Sequence, residues 1–237
     1  MFKDALYKKN LSNIEPFSFN ENVAAVFDNM INRSVPMYKE LQSIIVRLVN
    51  HLYKPGFVVY DLGCSTGETI VQINKKIKQK NIQIVGVDSS EAMLKKAKYK
   101  CKDIEDVFFE CNDIQKIEFK KAGIIIMNYV LQFIDPKFRA NLLKNIYTNL
   151  QPGGALLLSE KIKSSVLNDV FLTAHEQFKL DNSYSNLEIQ QKRKSLENVL
   201  ITLTVADNVK LLQNAGFTVI EKYFQYLNFC GFIALKS

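Results

Sequence analysis

Apolar residues change their spacing near residue 57. Before that point the period is helical. Val23, Val26, Phe27 and Met30 share one side of a segment that Asn20 is placed to cap. Leu41, Ile44, Ile45, Leu48 and Leu52 form the stripe of a second helix, opened by Ser34 and Pro36. Residues 1–19 show neither pattern and read as an irregular arm.

Beyond residue 57, short apolar runs alternate with helical stretches. The runs are 57–62, 82–87, 107–110, 123–130 and 155–158. The intervening helices fall near 67–80 and 91–102, and from Asp135 and Pro136 to before Pro152. Such runs are continuously apolar because parallel strands are covered on both faces. Alternation of this kind predicts right-handed crossovers and a doubly wound α/β sheet. Residues 160–200 interrupt it with two helical segments, the second announced by the capping-box pair Ser185 and Glu188. A helix near 205–215 stops at Gly216, and two strand-like runs follow at 217–226 and 229–235. Their close spacing predicts an antiparallel hairpin.

The loop after the first strand is Asp61-Leu62-Gly63-Cys64-Ser65-Thr66-Gly67. It runs from a strand into a helix start, and Gly63 lets a ligand approach the backbone. A dinucleotide fingerprint would need glycine at positions 65 and 68, where Ser65 and Glu68 stand, and no Walker lysine follows. Asp61 is placed to orient the loop or to face an ammonium group. Asp88 ends the second strand, where a ribose-binding acid is expected. Asp113, past the third strand, is placed for an adenine amine, and Asn128 is a lone amide at the end of an apolar strand that needs partners. Each has a plainer alternative: a turn, a helix-start acid or an internally bonded amide.

Charge and cysteine content narrow the picture little. The formal charge is +7, with 31 basic and 24 acidic residues, and no run of basic and aromatic residues marks a nucleic-acid groove. Cys64, Cys101, Cys111 and Cys230 form no C-x-x-C pair, so no metal site is expected. No window is apolar enough for a membrane span, and the start lacks a secretory core; a cytoplasmic location is the expectation.

Taken together, these residues resemble the class I S-adenosylmethionine-dependent methyltransferases, which implies a Rossmann-like seven-strand sheet. A narrower resemblance rests on residues 23–38, Asp61-Leu62-Gly63-Cys64-Ser65, Leu131-Gln132-Phe133 and Leu158-Ser159-Glu160-Lys161. It continues through Tyr184-Ser185-Asn186-Leu187-Glu188-Ile189, Gln191-Lys192-Arg193 and Leu196-Glu197-Asn198-Val199. This set is similar to the carboxy-S-adenosyl-L-methionine synthases. The resemblance implies that S-adenosyl-L-methionine and prephenate give carboxy-S-adenosyl-L-methionine and phenylpyruvate. It also implies a link to a tRNA carboxymethyltransferase acting on wobble uridine, a homodimer, and no stable nucleic-acid binding. Ligand positions carried over are Tyr38, Gly63, Cys64, Ser65, Asp88, Ser89, Asp113, Ile114, Asn128 and Arg193. Asn112 stands where glycine is usual, and Ser89 where asparagine is frequent. The expected organisation is a helical segment, 1–53, covering the pocket of a binding domain, 54–237, with the insertion at about 160–200.

Arg193 has its own argument. Ile189, Arg193, Leu196 and Leu200 fall on one helical face, where an arginine is costly without a carboxylate. The expectation is a paired contact to the new carboxylate of the product, in its own pocket or a neighbour's, with Lys192 and Lys194 solvated. Arg193 and Tyr38 are the expected catalytic pair, Tyr38 as a positioning group and no side chain as a dedicated base. An ordinary methyltransferase acting on a small acid or tRNA, and a nonenzymatic adenine-ligand or RNA-binding module, are the competing readings.

Overall fold

The computed structural model describes residues 3–77 and 81–237. Seven strands form one sheet in the order β3-β2-β1-β4-β5-β7-β6. They are β1 (Val58–Leu62), β2 (Gln83–Asp88), β3 (Val107–Cys111), β4 (Ala122–Asn128), β5 (Ala155–Lys161), β6 (Val219–Tyr226) and β7 (Phe229–Leu235). The first five pair in parallel, and β7 inserts antiparallel between β5 and β6. This is the doubly wound α/β sheet with a terminal antiparallel hairpin.

Helices cover both faces: α1 (Glu21–Ser34), α2 (Tyr38–Leu52), α3 (Glu68–Lys76), α4 (Glu91–Lys100), α5 (Pro136–Asn149), α6 (Asn168–Asp181), α7 (Asn186–Leu196) and α8 (Val205–Ala215). Side chains alternate across the strands, so Val58, Tyr60 and Leu62 join the core under α5 and α8. Val59 joins the opposite core, with Leu41, Ile45 and Val49 of α2. A third, smaller cluster ties α1 to Met93 of α4. No helix of the described residues is long and apolar enough to cross a membrane.

Several boundaries differ from the sequence reading. Ser34 closes α1 rather than opening α2, and Met37, in the left-handed region at φ 54°, starts α2. The helix expected over 67–80 is α3; residues 78–80 lie outside the described part. Strand β4 stops two residues early because Tyr129 turns into the left-handed region at φ 63°. Conversely, β5 runs on to Lys161 because β7 pairs with it along its full length, Lys161 opposite Phe229. Strand β6 begins at Val219, two residues later than expected.

Candidate active site

The carboxyl ends of β1, β2 and β4 open onto one cavity of about 580 Å³. This is where a doubly wound sheet binds ligands, because the crossovers diverge on either side of the switch point. Between β1 and α3, the Gly63 and Cys64 amides donate to the Val87 carbonyl at 2.7 and 2.9 Å. Gly63 has φ 70°, and a Cβ there would sit 2.5 Å from Val130 Cγ2, so only glycine fits. Asp88 fixes the next turn. Its Oδ2 accepts from the Ser65 amide and its Oδ1 from the Ser90 amide, both at 2.9 Å. Burial raises the Asp88 pKa, and these two bonds oppose the rise. Burial also pushes the Cys64 thiol well up, which makes it a packing group rather than a nucleophile.

Asp61 is nearly sealed from solvent, at 2% exposure, and its Oδ2 has no hydrogen-bond partner among the described residues. Burial, with Asp88 adding repulsion, raises its pKa to about 8. Asn128 presents two more such atoms: neither Oδ1 nor Nδ2 finds a partner there. Buried polar groups are rarely left so, and both side chains face the cavity. Asp113 accepts from the Gln115 amide at 3.0 Å, and Ile114 beside it is buried. Phe17, Phe19 and Phe133 line the same cavity as Ile114, and Phe19 meets Phe17 and Phe133, each at 5.2 Å between ring centres. Ser90 Oγ holds the arm there through the Phe19 carbonyl, at 2.5 Å. Tyr38, the first residue of α2, is buried, and its hydroxyl accepts from Gln42 Nε2 at 3.1 Å. Burial and the neighbouring acids hold its pKa above the ordinary phenol value, so it stays neutral.

The cavity therefore brings together Tyr38, Gly63, Cys64, Ser65, Asp88, Ser89, Asp113, Ile114 and Asn128. Arg193 is not among its lining residues. The Arg193 guanidinium pairs with Glu176 of α6, and its side chain is 62% exposed. Lys192, expected to be solvated, lines the cavity instead. The physical reason is rotational. The buried face of α7 carries Glu188, Ile189, Gln191 and Ser195, with Lys192 and Leu196 turned to the cavity, and each residue turns about 100° further round the helix. Arg193 therefore falls just past its edge.

Other lining residues left no signal strong enough to single them out. Tyr129 directly follows Asn128; its hydroxyl has no partner among the described residues, and its ring meets Phe229 at 5.8 Å. Lys161 ends β5, and His175 and Lys179 lie one turn apart on α6. The spacing of His175 and Lys179 was a readable hint, but it says nothing of which way α6 faces.

A methyltransferase-domain family model matches residues 59–154, which cover the loop, Asp88, Asp113 and Asn128. The carboxy-S-adenosyl-L-methionine synthase of Desulfotalea psychrophila is 43% identical, over 99% of this chain and 97% of its own. The enzyme of the same name from Helicobacter pylori is 40% identical, over 99% of this chain and 100% of its own. Among solved structures, magnesium protoporphyrin IX methyltransferase of Synechocystis, with bound S-adenosylhomocysteine, superposes with a TM-score of 0.59. That match has 17% identity and covers 84% of this chain and 83% of that one, so it speaks for the fold alone.

Proposed function

The chain belongs to the carboxy-S-adenosyl-L-methionine synthase family, and from that premise we propose that it converts S-adenosyl-L-methionine and prephenate to carboxy-S-adenosyl-L-methionine, phenylpyruvate and water. The near end-to-end identity with synthases of that name carries the reading. The product then serves a tRNA carboxymethyltransferase acting on wobble uridine, and this chain need not hold the RNA.

The cavity suits the nucleoside. Gly63 offers bare backbone, Ile114 and Phe19 give the cavity apolar lining, and Asp61 and Asn128 have polar atoms to satisfy. On this reading Asp88 accepts from the ribose hydroxyls, Asp113 and Ile114 take the adenine, and Asp61 faces the ammonium group. The sulfonium supplies an acidified methyl carbon. The departing hydroxyl of prephenate serves as the proton acceptor, so no side chain is assigned as base. Neutral Tyr38 positions the reacting groups, and the arm excludes water.

Arg193 points away from its own cavity, so on this reading it serves the cavity of a second copy, pairing there with the new carboxylate. Two experiments test the function. The small molecule that co-purifies with the protein should be heavier than S-adenosyl-L-methionine by one carbon dioxide. Arg193→Met should weaken retention of that product at least ~10-fold while leaving S-adenosyl-L-methionine binding within ~2-fold. Equal loss of both ligands would reject the assignment.

A further inference from the structure

The cavity has two electrically different ends. Asp61, Asp88 and Asp113 sit at the ends of β1, β2 and β3. Lys161, Lys179 and Lys192 line the opposite end, and each comes from a different element, β5, α6 and α7. Acidic and basic ends do not neutralise each other. Burial, and after it Asp88, raises the Asp61 pKa, whereas burial, and after it Lys179 and Arg193, lowers that of Lys161.

Three observations show that the lysines converge. His175 Nε2 donates to the Ser34 carbonyl at 2.7 Å, and Lys192 Nζ donates to Ser34 Oγ at 3.0 Å, so α6 and α7 meet at one residue. Lys179 lies one turn beyond His175 on the same face of α6. The His175 ring packs against Phe229 at 4.9 Å, and Phe229 is the β7 partner of Lys161.

Among the described residues, neither Lys161 Nζ nor Lys179 Nζ has a hydrogen-bond or carboxylate partner. Lys192 uses one of its three N–H groups on Ser34, and the Asp4 carboxylate acts on its charge. Burial pushes Lys161 and Lys192 down to about 7 and Lys179 down to about 8. Cations without counter-ions, as Lys161 and Lys179 are among the described residues, are costly to bury, and they persist where a ligand supplies the charge. Burial and the surrounding lysines hold His175 at about 2, so it remains neutral and adds no fourth cation.

We propose that Lys161, Lys179 and Lys192 form the subsite that receives the carboxylates of the second, dianionic substrate. The occupant rests on the function proposed above, in which that substrate is prephenate. A sulfonium nucleoside brings one carboxylate of its own and a positive sulfur. Once protonated, the three lysines exceed what it can neutralise, and they would repel the sulfonium unless a dianion lay between. A dicarboxylate meets both needs and is held beside the methyl carbon.

Phenylsuccinate, an unreactive ring-bearing dicarboxylate, is the probe. Its binding is titrated calorimetrically against the full chain saturated with S-adenosylhomocysteine, for the native protein and for Lys161→Met, Lys179→Met and Lys192→Met. The native protein should bind it, and each substitution should raise its Kd about 10-fold, with S-adenosylhomocysteine affinity unchanged within ~2-fold. Lys→Arg at the same positions should recover most of the affinity, which a packing role would not. The same Met variants should raise KM for prephenate far more than they lower kcat. Methionine removes a buried charge at similar volume, so melting temperatures should hold or rise; Lys→Gln variants replace any that do not fold. The subsite is overturned if phenylsuccinate does not bind the native protein, if the variants bind it equally well, or if nucleoside affinity falls in step. If prephenate is never consumed while phenylsuccinate still depends on the lysines, the functional reading fails and the subsite stands.

Discussion

Asn128 and Asp61 carry buried polar atoms that lack partners among the described residues, which sets stability against binding at single side chains. Asn128→Leu removes two unsatisfied atoms at nearly constant volume. Thermal denaturation of the ligand-free variant should give a higher melting temperature, while calorimetry should show S-adenosyl-L-methionine binding at least ~10-fold weaker. A lower melting temperature with unchanged affinity would mean that Asn128 is satisfied internally. Asp61 makes a prediction in pH. Its native pKa, about 8, exceeds the ordinary carboxylate value of 3.8, so the folded state holds a proton that the unfolded state has released. The stability this contributes is present in full below about pH 4 and is lost as pH rises through about 8. A docked ammonium group needs the ionised form. Affinity for S-adenosyl-L-methionine should therefore climb between about pH 6 and pH 8 in the native protein, more steeply than in Asp61→Asn. Parallel pH profiles for the two proteins would remove Asp61 from the ammonium site.

At the scale of elements, α7 decides which residues face the cavity, and the N-terminal arm decides how α7 lies. Gln191 Nε2 donates to the carbonyls of Tyr7 and Lys9, and its Oε1 accepts from the Leu11 amide. Tyr7 Oη donates to Ser195 Oγ, and the Phe17 amide to the Ser195 carbonyl. Gln191→Leu should loosen this seam. Trypsin cleavage at Lys8 and Lys9 should quicken ~5-fold while the global melting temperature moves little. An unchanged cleavage rate would show that the arm is held by its other contacts. The same seam explains what the sequence could not tell. The capping box of Ser185 and Glu188 was legible because every atom of it lies within four residues. The rotation of α7 was not, because partners more than 170 positions away set it. Period alone favoured Arg193 as the inward cation, and long-range hydrogen bonds selected Lys192. The early end of β4 was equally hidden, since nothing in an apolar run announces that Tyr129 takes a positive φ.

Across the whole molecule, parallel alternation, the closing hairpin and the cavity-lining strand ends were all readable. They follow from apolar runs and from the carboxyl-end rule for doubly wound sheets. The bipolar cavity was not readable, because its basic end draws lysines from one strand and two helices that meet only after folding. The formal charge of +7 gave no hint either, since surface lysines mask those that turn inward. A sheet of this type serves many methyl transfers, so the fold leaves the reaction open. The two charged ends suit a nucleoside cation and a carboxylate anion held face to face. The decisive measurement is mass spectrometry of the nucleoside after incubation with prephenate carrying carbon-13 in its ring carboxylate. A nucleoside heavier by one labelled carbon dioxide, formed in step with phenylpyruvate, is the expected result. Untouched prephenate, or S-adenosylhomocysteine accumulating beside a methylated acid, would contradict it.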